Sequence, residues 1–265
     1  MKLEQQQELM ARLSIMQKLS LSEAMEILNV SESTIRRIFA KMEKEGVAIR
    51  THGGIQSASG AMTRYSFEYG TKTNIEKKTA IAHEACKLLK NGDVIFCDTG
   101  TTTQCFCAEL VCRIKREGLS VKLYTNSLAN LELLSPYMPV TLIGGEYRPN
   151  RKDFCGYLTD QALTGLYFSK SFVGADGCVH GRQFTTTDFD TARMNQIAMR
   201  NTDQNIMLVD SSKFSVSAHV AYAPLEMLHT IVTDTGIRPE MLAQLKSSHI
   251  RVICADTAKP SADET

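Results

Sequence analysis

Apolar residues recur at helical spacing through the first forty-five positions. Leu9, Leu13 and Met16 mark the inward stripe of a first helix. Ser20-Leu21-Ser22-Glu23 has the S-x-x-E form of a capping box, and Leu21, Ala24, Ile27 and Leu28 behind it give a second helix. Asn29-Val30-Ser31 supplies a short turn with Ser31 as an N-cap, and a third helix is predicted from Glu32 to about Glu45, stopped by Gly46. Its apolar face is Ile35, Ile38, Phe39 and Met42, at i, i+3, i+4 and i+7, while Ser33, Arg36, Arg37, Lys41 and Lys44 fall on the opposite side. Two short β-prone pieces follow within Val47 to Ile55, with Thr51-His52-Gly53-Gly54 between them, and read as a β-wing.

Periodicity then lapses. Gln56 to Thr63, QSASGAMT, is small and polar and reads as an interdomain linker. Tyr65, Phe67 and Tyr69 alternate, and Ile75 to Leu89 gives a helix with Ile81, Ala85, Leu88 and Leu89 inward. Strand and helix patterns alternate from Val94 to Cys254, the rhythm of an α/β domain on a mostly parallel sheet. The expected organisation is a small N-terminal winged helix-turn-helix over 1–56, a linker over 57–73, a larger α/β domain over 74–257 and a flexible tail over 258–265.

A short helix, a three-residue turn and a second helix with a cationic outer face form the pattern of a helix-turn-helix, whose second helix enters the major groove. Taken alone, such a face is equally that of a solvated helix; the wing beside it favours DNA. Arginine suits that task because its planar fork bonds guanine O6 and N7 together. Val30-Ser31-Glu32-Ser33-Thr34-Ile35-Arg36-Arg37, followed by Glu45-Gly46 and Arg50-Thr51-His52-Gly53-Gly54, resembles the N-terminal domain of the DeoR family of bacterial transcriptional regulators. Ile38 stands where an Asp usually follows the paired arginines in that family. The resemblance implies a DNA-facing set of Ser31, Ser33, Thr34, Arg36, Arg37, Lys41, Lys44, Arg50, His52 and Gly53, with Arg50 and His52 near the backbone or minor groove.

In the larger domain the loops at strand ends carry the candidate chemistry. Asp98-Thr99-Gly100-Thr101-Thr102-Thr103 lies between a strand and a helix, where glycine, hydroxyls and unpaired N–H groups suit a phosphate. A Thr-capped helix without a ligand has the same sequence. Later strand ends are Thr125-Asn126-Ser127, Gly144-Gly145-Glu146, Gly174-Ala175-Asp176-Gly177 and Asp210-Ser211-Ser212-Lys213. These loops resemble the C-terminal sensor domain of the DeoR family, so the similarity spans about residues 5 to 255. That domain is related in fold to ribose-5-phosphate isomerase, glucosamine-6-phosphate deaminase and the CoA transferases. The resemblance implies a phosphate cradle over Asp98, Thr99, Gly100, Thr101, Thr102 and Thr103, with Asn126, Ser127, Gly145, Asp176 and Lys213 around a phosphorylated sugar. A structural ion pair is the plainer role for Lys213 and Asp176.

The function this implies is a non-enzymatic regulator, a repressor of a carbohydrate-metabolism operon, bound to double-stranded operator DNA and controlled by a phosphorylated sugar effector. The alternative is a sugar-phosphate isomerase or deaminase with an accessory DNA-binding domain. Catalysis needs a positioned base, and in Thr185-Thr186-Thr187-Asp188-Phe189-Asp190-Thr191-Ala192-Arg193 the last residue is a cation where the family pattern carries an acid. That exchange favours sensing, although Asp188 and Asp190 remain as candidate bases.

Charge at first opposes a DNA-binding reading, since the net charge is only +1. It is unevenly spread: residues 31–80 carry +4, against −1 before them and −2 after. One subunit with so small an excess should bind DNA weakly, so a homo-oligomer is expected, two winged helices reading one operator. The eight cysteines form no CxxC pair and no His has zinc-ligand spacing, so no metal or other cofactor is expected. The polar N-terminus lacks a signal-peptide core and no apolar run reaches membrane length, which predicts a cytoplasmic protein with reduced thiols and no membrane partner.

Overall fold

The computed structural model describes residues 2–16, 18–44, 48–57, 67–248 and 250–257, in two compact units, Met1–Tyr65 and Ser66–Thr265. In the first unit α1 (Lys2–Met16), β1 (Lys18–Ser20), α2 (Leu21–Leu28), α3 (Glu32–Lys44), β2 (Ala48–Thr51) and β3 (Gly54–Ser57) follow in order. The capping box is present at α2: the Ser20 hydroxyl accepts from the Glu23 N–H at 3.2 Å, and the Ser20 N–H donates to Glu23 Oε2 at 2.7 Å. Asn29 ends the helix in the left-handed conformation, φ 49°. Ile35, Ile38, Phe39 and Met42 of α3 pack on Leu9, Leu13, Leu19, Ala24 and Ile55 in one small core. Each such side chain contributes about 1.5–3 kcal/mol on burial. Ile38, the departure from the family pattern, serves that core.

Two expectations change here. Met16 is 48 % exposed, so the inward stripe of α1 ends at Leu13. The wing has a third strand, β1, which pairs with β3 in the order β1-β3-β2. Gly53 takes φ +90° at the turn, and at Gly54 a Cβ would lie 2.3 Å from the Leu19 carbonyl oxygen, so the paired glycines admit both the turn and the third strand. Glu45, Gly46, residues 58–66 of the linker and the 258–265 tail lie outside the described residues.

The second unit contains α4 (Phe67–Lys72), α5 (Ile75–Cys86), β4 (Val94–Cys97), α6 (Thr101–Glu117), β5 (Lys122–Thr125), α7 (Leu128–Leu134), β6 (Val140–Leu142), β7 (Glu146–Arg148), β8 (Asp153–Cys155), α8 (Tyr157–Thr164), β9 (Phe168–Gly174), β10 (Gly177–Val179), β11 (Gln183–Thr186), α9 (Phe189–Arg200), β12 (Thr202–Leu208), β13 (Val220–Pro224), β14 (Thr230–Asp234), α10 (Pro239–Ser247) and β15 (Arg251–Ala255). Helix α4 corrects the linker limit of 73: Phe67 is buried and its N–H donates to the Asn150 carbonyl at 3.1 Å, so this stretch belongs to the larger unit.

Seven parallel strands form the sheet β15-β14-β12-β9-β4-β5-β6. Alternate residues feed two cores. Ile95, Cys97, Phe172, Ile206 and Leu208 pack against α5, α6 and α7. Phe96, Val173, Met207 and Val209 pack against α8, α9 and α10 on the other face. Burial on both faces explains the near-continuous apolar strands. The smaller sheet β10-β11-β13 and the hairpin β7-β8 left little trace in the apolar pattern.

The chain lays down β4, β5 and β6 outward in one direction, then returns to place β9 on the other side of β4 and continues outward through β12, β14 and β15. The order therefore reverses between β4 and β9, and ligands of open parallel sheets bind outside the carboxyl ends of strands at such a reversal.

Candidate DNA interface and effector cleft

On α3 the polar face is solvent-exposed. The hydroxyls of Ser31, Ser33 and Thr34 cluster at its start, 3.1 Å from Ser31 Oγ to each of the other two, and the Ser31 carbonyl accepts from the N–H groups of Thr34 and Ile35. Arg36 is paired with Glu32 at 2.7 Å, an exposed i,i+4 pair of little net strength that a phosphate or base can displace. Arg37 is exposed and has no ion-pair partner among the described residues. Lys41 is exposed too, and the side chain of Lys44 lies outside the described part. Arg50 ties the wing to α3, its N–H donating to Glu43 Oε1 at 3.2 Å, while His52 and Gly53 form the exposed wing tip.

At the strand reversal, Asp98 leaves β4 with its side chain 2 % exposed. Asp98 Oδ2 accepts from the Gly174 N–H at 3.3 Å and from Asn195 Nδ2 at 3.0 Å, while Oδ1 has no partner among the described residues. Burial pushes the Asp98 carboxyl up to about 7, against those hydrogen bonds, which lower it. Gly100 opens α6 with no side-chain cap, so the N–H groups of Thr101, Thr102 and Thr103 lie at the positive end of a seventeen-residue helix dipole. The Thr103 hydroxyl is committed elsewhere, donating to the carbonyls of Asp98 at 2.8 Å and Gly100 at 2.9 Å. The Thr99 hydroxyl reaches the Arg151 carbonyl at 3.4 Å. These two residues shape the loop through their side chains, leaving Thr101 and Thr102 to offer hydroxyls.

Several further positions carry structural duties. Ser127 caps α7, its hydroxyl accepting from the Asn130 N–H at 3.2 Å. Asn126 is buried, with Nδ2 donating to the Phe154 carbonyl and Oδ1 without a partner among the described residues. Gly145 is a packing glycine: a Cβ there would lie 2.2 Å from Thr159 Oγ1. Asp176 accepts at Oδ2 from Thr186 Oγ1 and from the N–H and hydroxyl of Thr187, all within 3.1 Å. Asp176 has an ion pair with Arg151 at 3.9 Å, the plainer structural role, whereas no ion pair joins it to Lys213 among the described residues.

The β7-β8 hairpin brings two arginines that the motif reading passed over. Arg148 grips Asp153 with two hydrogen bonds, 2.9 and 2.7 Å, and reaches Asp188 at 2.8 Å. Arg151 meets Asp188 at 2.9 Å and the Thr187 hydroxyl, with Asp176 at 3.9 Å. Burial alone would raise the Asp188 carboxyl, but Arg151, the Thr191 N–H and Arg148 together hold it below its usual value. Asp188 also caps α9 through that N–H at 2.8 Å. A carboxylate so committed is a poor proton acceptor. Asp190 is paired with Arg193, which also bonds Asp160, so Arg193 faces α8 rather than a phosphate. A sequence signal existed for the hairpin, the cationic run Arg148-Pro149-Asn150-Arg151-Lys152, which begins three positions after the double glycine Gly144-Gly145.

Lys78 of α5 was also overlooked. It is 4 % exposed and its ammonium donates to the Gly70 carbonyl of α4 at 2.6 Å. Burial lowers it to about 8, offset by nearby Asp210 and reinforced by Lys213. A cleft of about 580 Å³ opens at the opposite, amino-terminal end of the strands, where Lys170 is already neutralised by Asp93 at 2.6 Å. Burial raises the thiols of Cys105 and Cys107, which lowers their reactivity. No His, Cys, Asp or Glu cluster among the described residues is arranged for a metal ion.

Residues 73–235 match the model of the DeoR C-terminal sensor domain, and residues 5–61 that of the DeoR-like helix-turn-helix domain. The chain belongs to the DeoR family. It is 32 % identical over 242 residues to the lactose phosphotransferase system repressor of Lactococcus lactis subsp. lactis, covering 90 % of this chain and 92 % of that one. It is 30 % identical over 224 residues to the transcriptional regulator IolR of Bacillus subtilis, covering 83 % and 86 %. Among solved structures, ribose 5-phosphate isomerase A of Methanocaldococcus jannaschii aligns with a TM-score of 0.42 and 26 % identity, over 54 % of this chain and 55 % of that one. This DeoR-family member is thus a DNA-binding transcriptional regulator, and the reading as a sugar-phosphate isomerase or deaminase is not favoured. No helix among its described residues is long and apolar enough to cross a membrane.

Proposed function

We propose that this regulator represses a carbohydrate-metabolism operon and that a phosphorylated sugar, bound where the strand order reverses, changes its grip on DNA. The observation carrying this reading is the uncapped start of α6 beside buried Asp98. There a phosphoryl dianion meets N–H donors and a helix dipole, and a sugar hydroxyl finds the unpartnered Asp98 Oδ1. Lys213 neutralises the phosphoryl group, and Asp176 and Asn126 take sugar hydroxyls. On the DNA side Arg37 reads base edges, Ser33 and Thr34 contact phosphates at the start of α3, and Arg50 and His52 hold the backbone beside the groove.

The protein acts as a cytoplasmic homo-oligomer, because a single short recognition helix in a segment of +4 makes too few contacts for a selective operator complex. Effector occupancy shifts the equilibrium only as far as it favours one arrangement of the subunits over another. Thermal-shift screening of the purified protein against sugar phosphates and their unphosphorylated parents tests the effector class. One phosphorylated sugar should raise the melting temperature, at 100 times its Kd by an amount equivalent to about 2.7 kcal/mol, and its parent sugar should not. Equal shifts from both would remove the phosphoryl group from the account.

A further inference from the structure

The outer side of α8 lacks the character of a solvated helix. Thr159, Asp160 and Leu163 turn inward, yet the exposed positions Tyr157, Leu158, Gln161, Ala162, Thr164 and Gly165 include no charge. An outer face with aromatic and aliphatic groups and no charge departs from the amphipathic pattern of a helix facing water. Helix α6 on the opposite face of the sheet makes the contrast: its surface carries Lys115, Arg116 and Glu117, the last paired with Arg113 and Arg116. Among the described residues the four most exposed large apolar side chains all lie on or beside α8, Tyr157 at 72 %, Leu158 at 69 %, Tyr167 at 79 % and Phe189 at 77 %.

These side chains share one surface. Arg148 bridges Asp153, just before α8, to Asp188 and Thr191 at the start of α9, so both helices begin at the same end. One turn further in, Asp160 of α8 pairs with Arg193 of α9. Tyr157 and Phe189 each stand one turn before their member of that pair, which sets the two rings side by side. Leu158 and Ala162 follow on successive turns of α8, a helix of eight residues and about 12 Å, and Tyr167 stands just beyond its end. Asn201 closes that end, its Nδ2 donating to the carbonyls of Leu163 at 3.0 Å and Thr164 at 3.3 Å. The face is therefore formed before anything covers it, and association need order little.

We infer that this face of α8 and α9 is the interface with a second copy of the chain, formed about a two-fold axis. The inference rests on the homo-oligomer reading above and names its surface. A buried Tyr or Phe covers about 150–250 Å², so the three rings at these exposures present roughly 350–550 Å², around half of the about 800 Å² that a stable dimer buries on each partner. The margin carries both signs of charge: Asp190 and Arg193, 47 % and 52 % exposed, are paired within the chain, and a two-fold axis can set the acid of one copy against the base of the other. A partner of one charge sign would call for a margin of the opposite sign. Asp188, directly before Phe189, is held by Arg148 and Arg151 beside the effector cleft, so the interface and the cleft share one helix start.

Sedimentation velocity of the full chain over a concentration series tests this, with Leu158→Glu and Phe189→Glu from the two helices and Tyr137→Glu as a control. Glutamate in the first turn of a helix suits its dipole, and both side chains replaced are exposed, so the melting curves should match wild type. Tyr137, 44 % exposed, lies under Lys115 of α6 on the opposite face of the sheet. Wild type and Tyr137→Glu should self-associate, and each interface variant should do so about 100- to 1000-fold more weakly, because one substitution enters a two-fold contact twice. Wild-type association in either Leu158→Glu or Phe189→Glu, or an equal loss in Tyr137→Glu, would overturn this surface and leave the homo-oligomer reading standing. A wild type that stays monomeric at every concentration would overturn both. Slower sedimentation of the two interface variants would in that case assign the face to the chain's own DNA-binding unit, and unchanged sedimentation would assign it to a different protein.

Discussion

Replacing Asp98 by Asn should make the sensor domain more stable at neutral pH while leaving it unchanged in acid. Asp98 is completely enclosed, and burial lifts its carboxyl from 3.8 to about 7 despite the donors from Asn195 and Gly174. Each tenfold change in proton affinity is about 1.4 kcal/mol, so the shift corresponds to about 4 kcal/mol. Because the folded state holds this proton more tightly than the unfolded state, the stability tied to it is full below pH 4, declines as pH rises from 4 to 7, and is gone above 7. An Asn side chain presents its amide where the protonated oxygen was and its carbonyl to the same two donors, and it does not titrate. The difference between variant and wild type should thus be near zero at pH 4 and approach about 4 kcal/mol at pH 8, on the order of 10 °C in melting temperature for a domain of this size. Calorimetric melting of both proteins from pH 4.5 to 8 measures it. Asp93, Asp188 and Asp234, whose carboxyls are lowered and give the opposite slope, are common to both proteins and cancel in the comparison. A difference that is flat across this range would refute the buried, proton-holding Asp98.

Other perturbations report on other parts of the molecule. Arg37→Ala should weaken operator binding by about 1–3 kcal/mol and relax preference at one base pair, measured by fluorescence anisotropy on operator variants; a uniform loss at every variant would make Arg37 a phosphate contact instead. Arg148→Met strands buried Asp153 and loosens Asp188, and should cost the sensor domain about 3–5 kcal/mol in chemical denaturation, whereas an unchanged midpoint would show that the pair has no net structural weight. Gly54→Ala forces a methyl against the Leu19 carbonyl and should destabilise the winged helix by about 1–3 kcal/mol, visible as faster amide exchange in β1 and β3 with the sensor domain unaffected.

What the sequence disclosed follows from how locally each feature is encoded. The α2 capping box, the apolar face of α3 and the double glycine of the wing are each written within eight residues, and each has its expected place. The seven sheet strands were legible because each holds a short apolar stretch, such as Val94 to Cys97 in β4 or Ile206 to Leu208 in β12, that packs into the cores on the two faces. Strand β1 was not: three residues with a single buried side chain, Leu19, cannot show alternation, and its partner β3 is remote in sequence. Nor was α4, whose Phe67 is held by a hydrogen bond to Asn150 that no local pattern foretells.

The cleft was half legible for the same reason. Loops at strand ends announced Asp98 to Thr103 and Gly174 to Asp176, but the sequence does not order the strands, and only the order places β4 beside β9. Ser127 and Thr103 look like ligand hydroxyls in sequence, yet the first closes a helix end and the second a loop. Arg148, Arg151 and Lys78 act through partners 5 to 43 residues away. A residue whose role is fixed by distant partners carries no motif of its own.

The central claim is that a phosphorylated sugar in the α6 cleft alters DNA binding. Its most direct measurement is the affinity of the full-length protein for an operator selected from random duplexes, at fixed salt, with and without each sugar phosphate, in wild type and Lys213→Ala. One sugar phosphate should change the wild-type Kd by about 5- to 150-fold, its unphosphorylated parent should have no effect, and the variant should bind the operator normally without responding. An operator affinity indifferent to every phosphorylated sugar, or a response that survives in Lys213→Ala, would contradict the account.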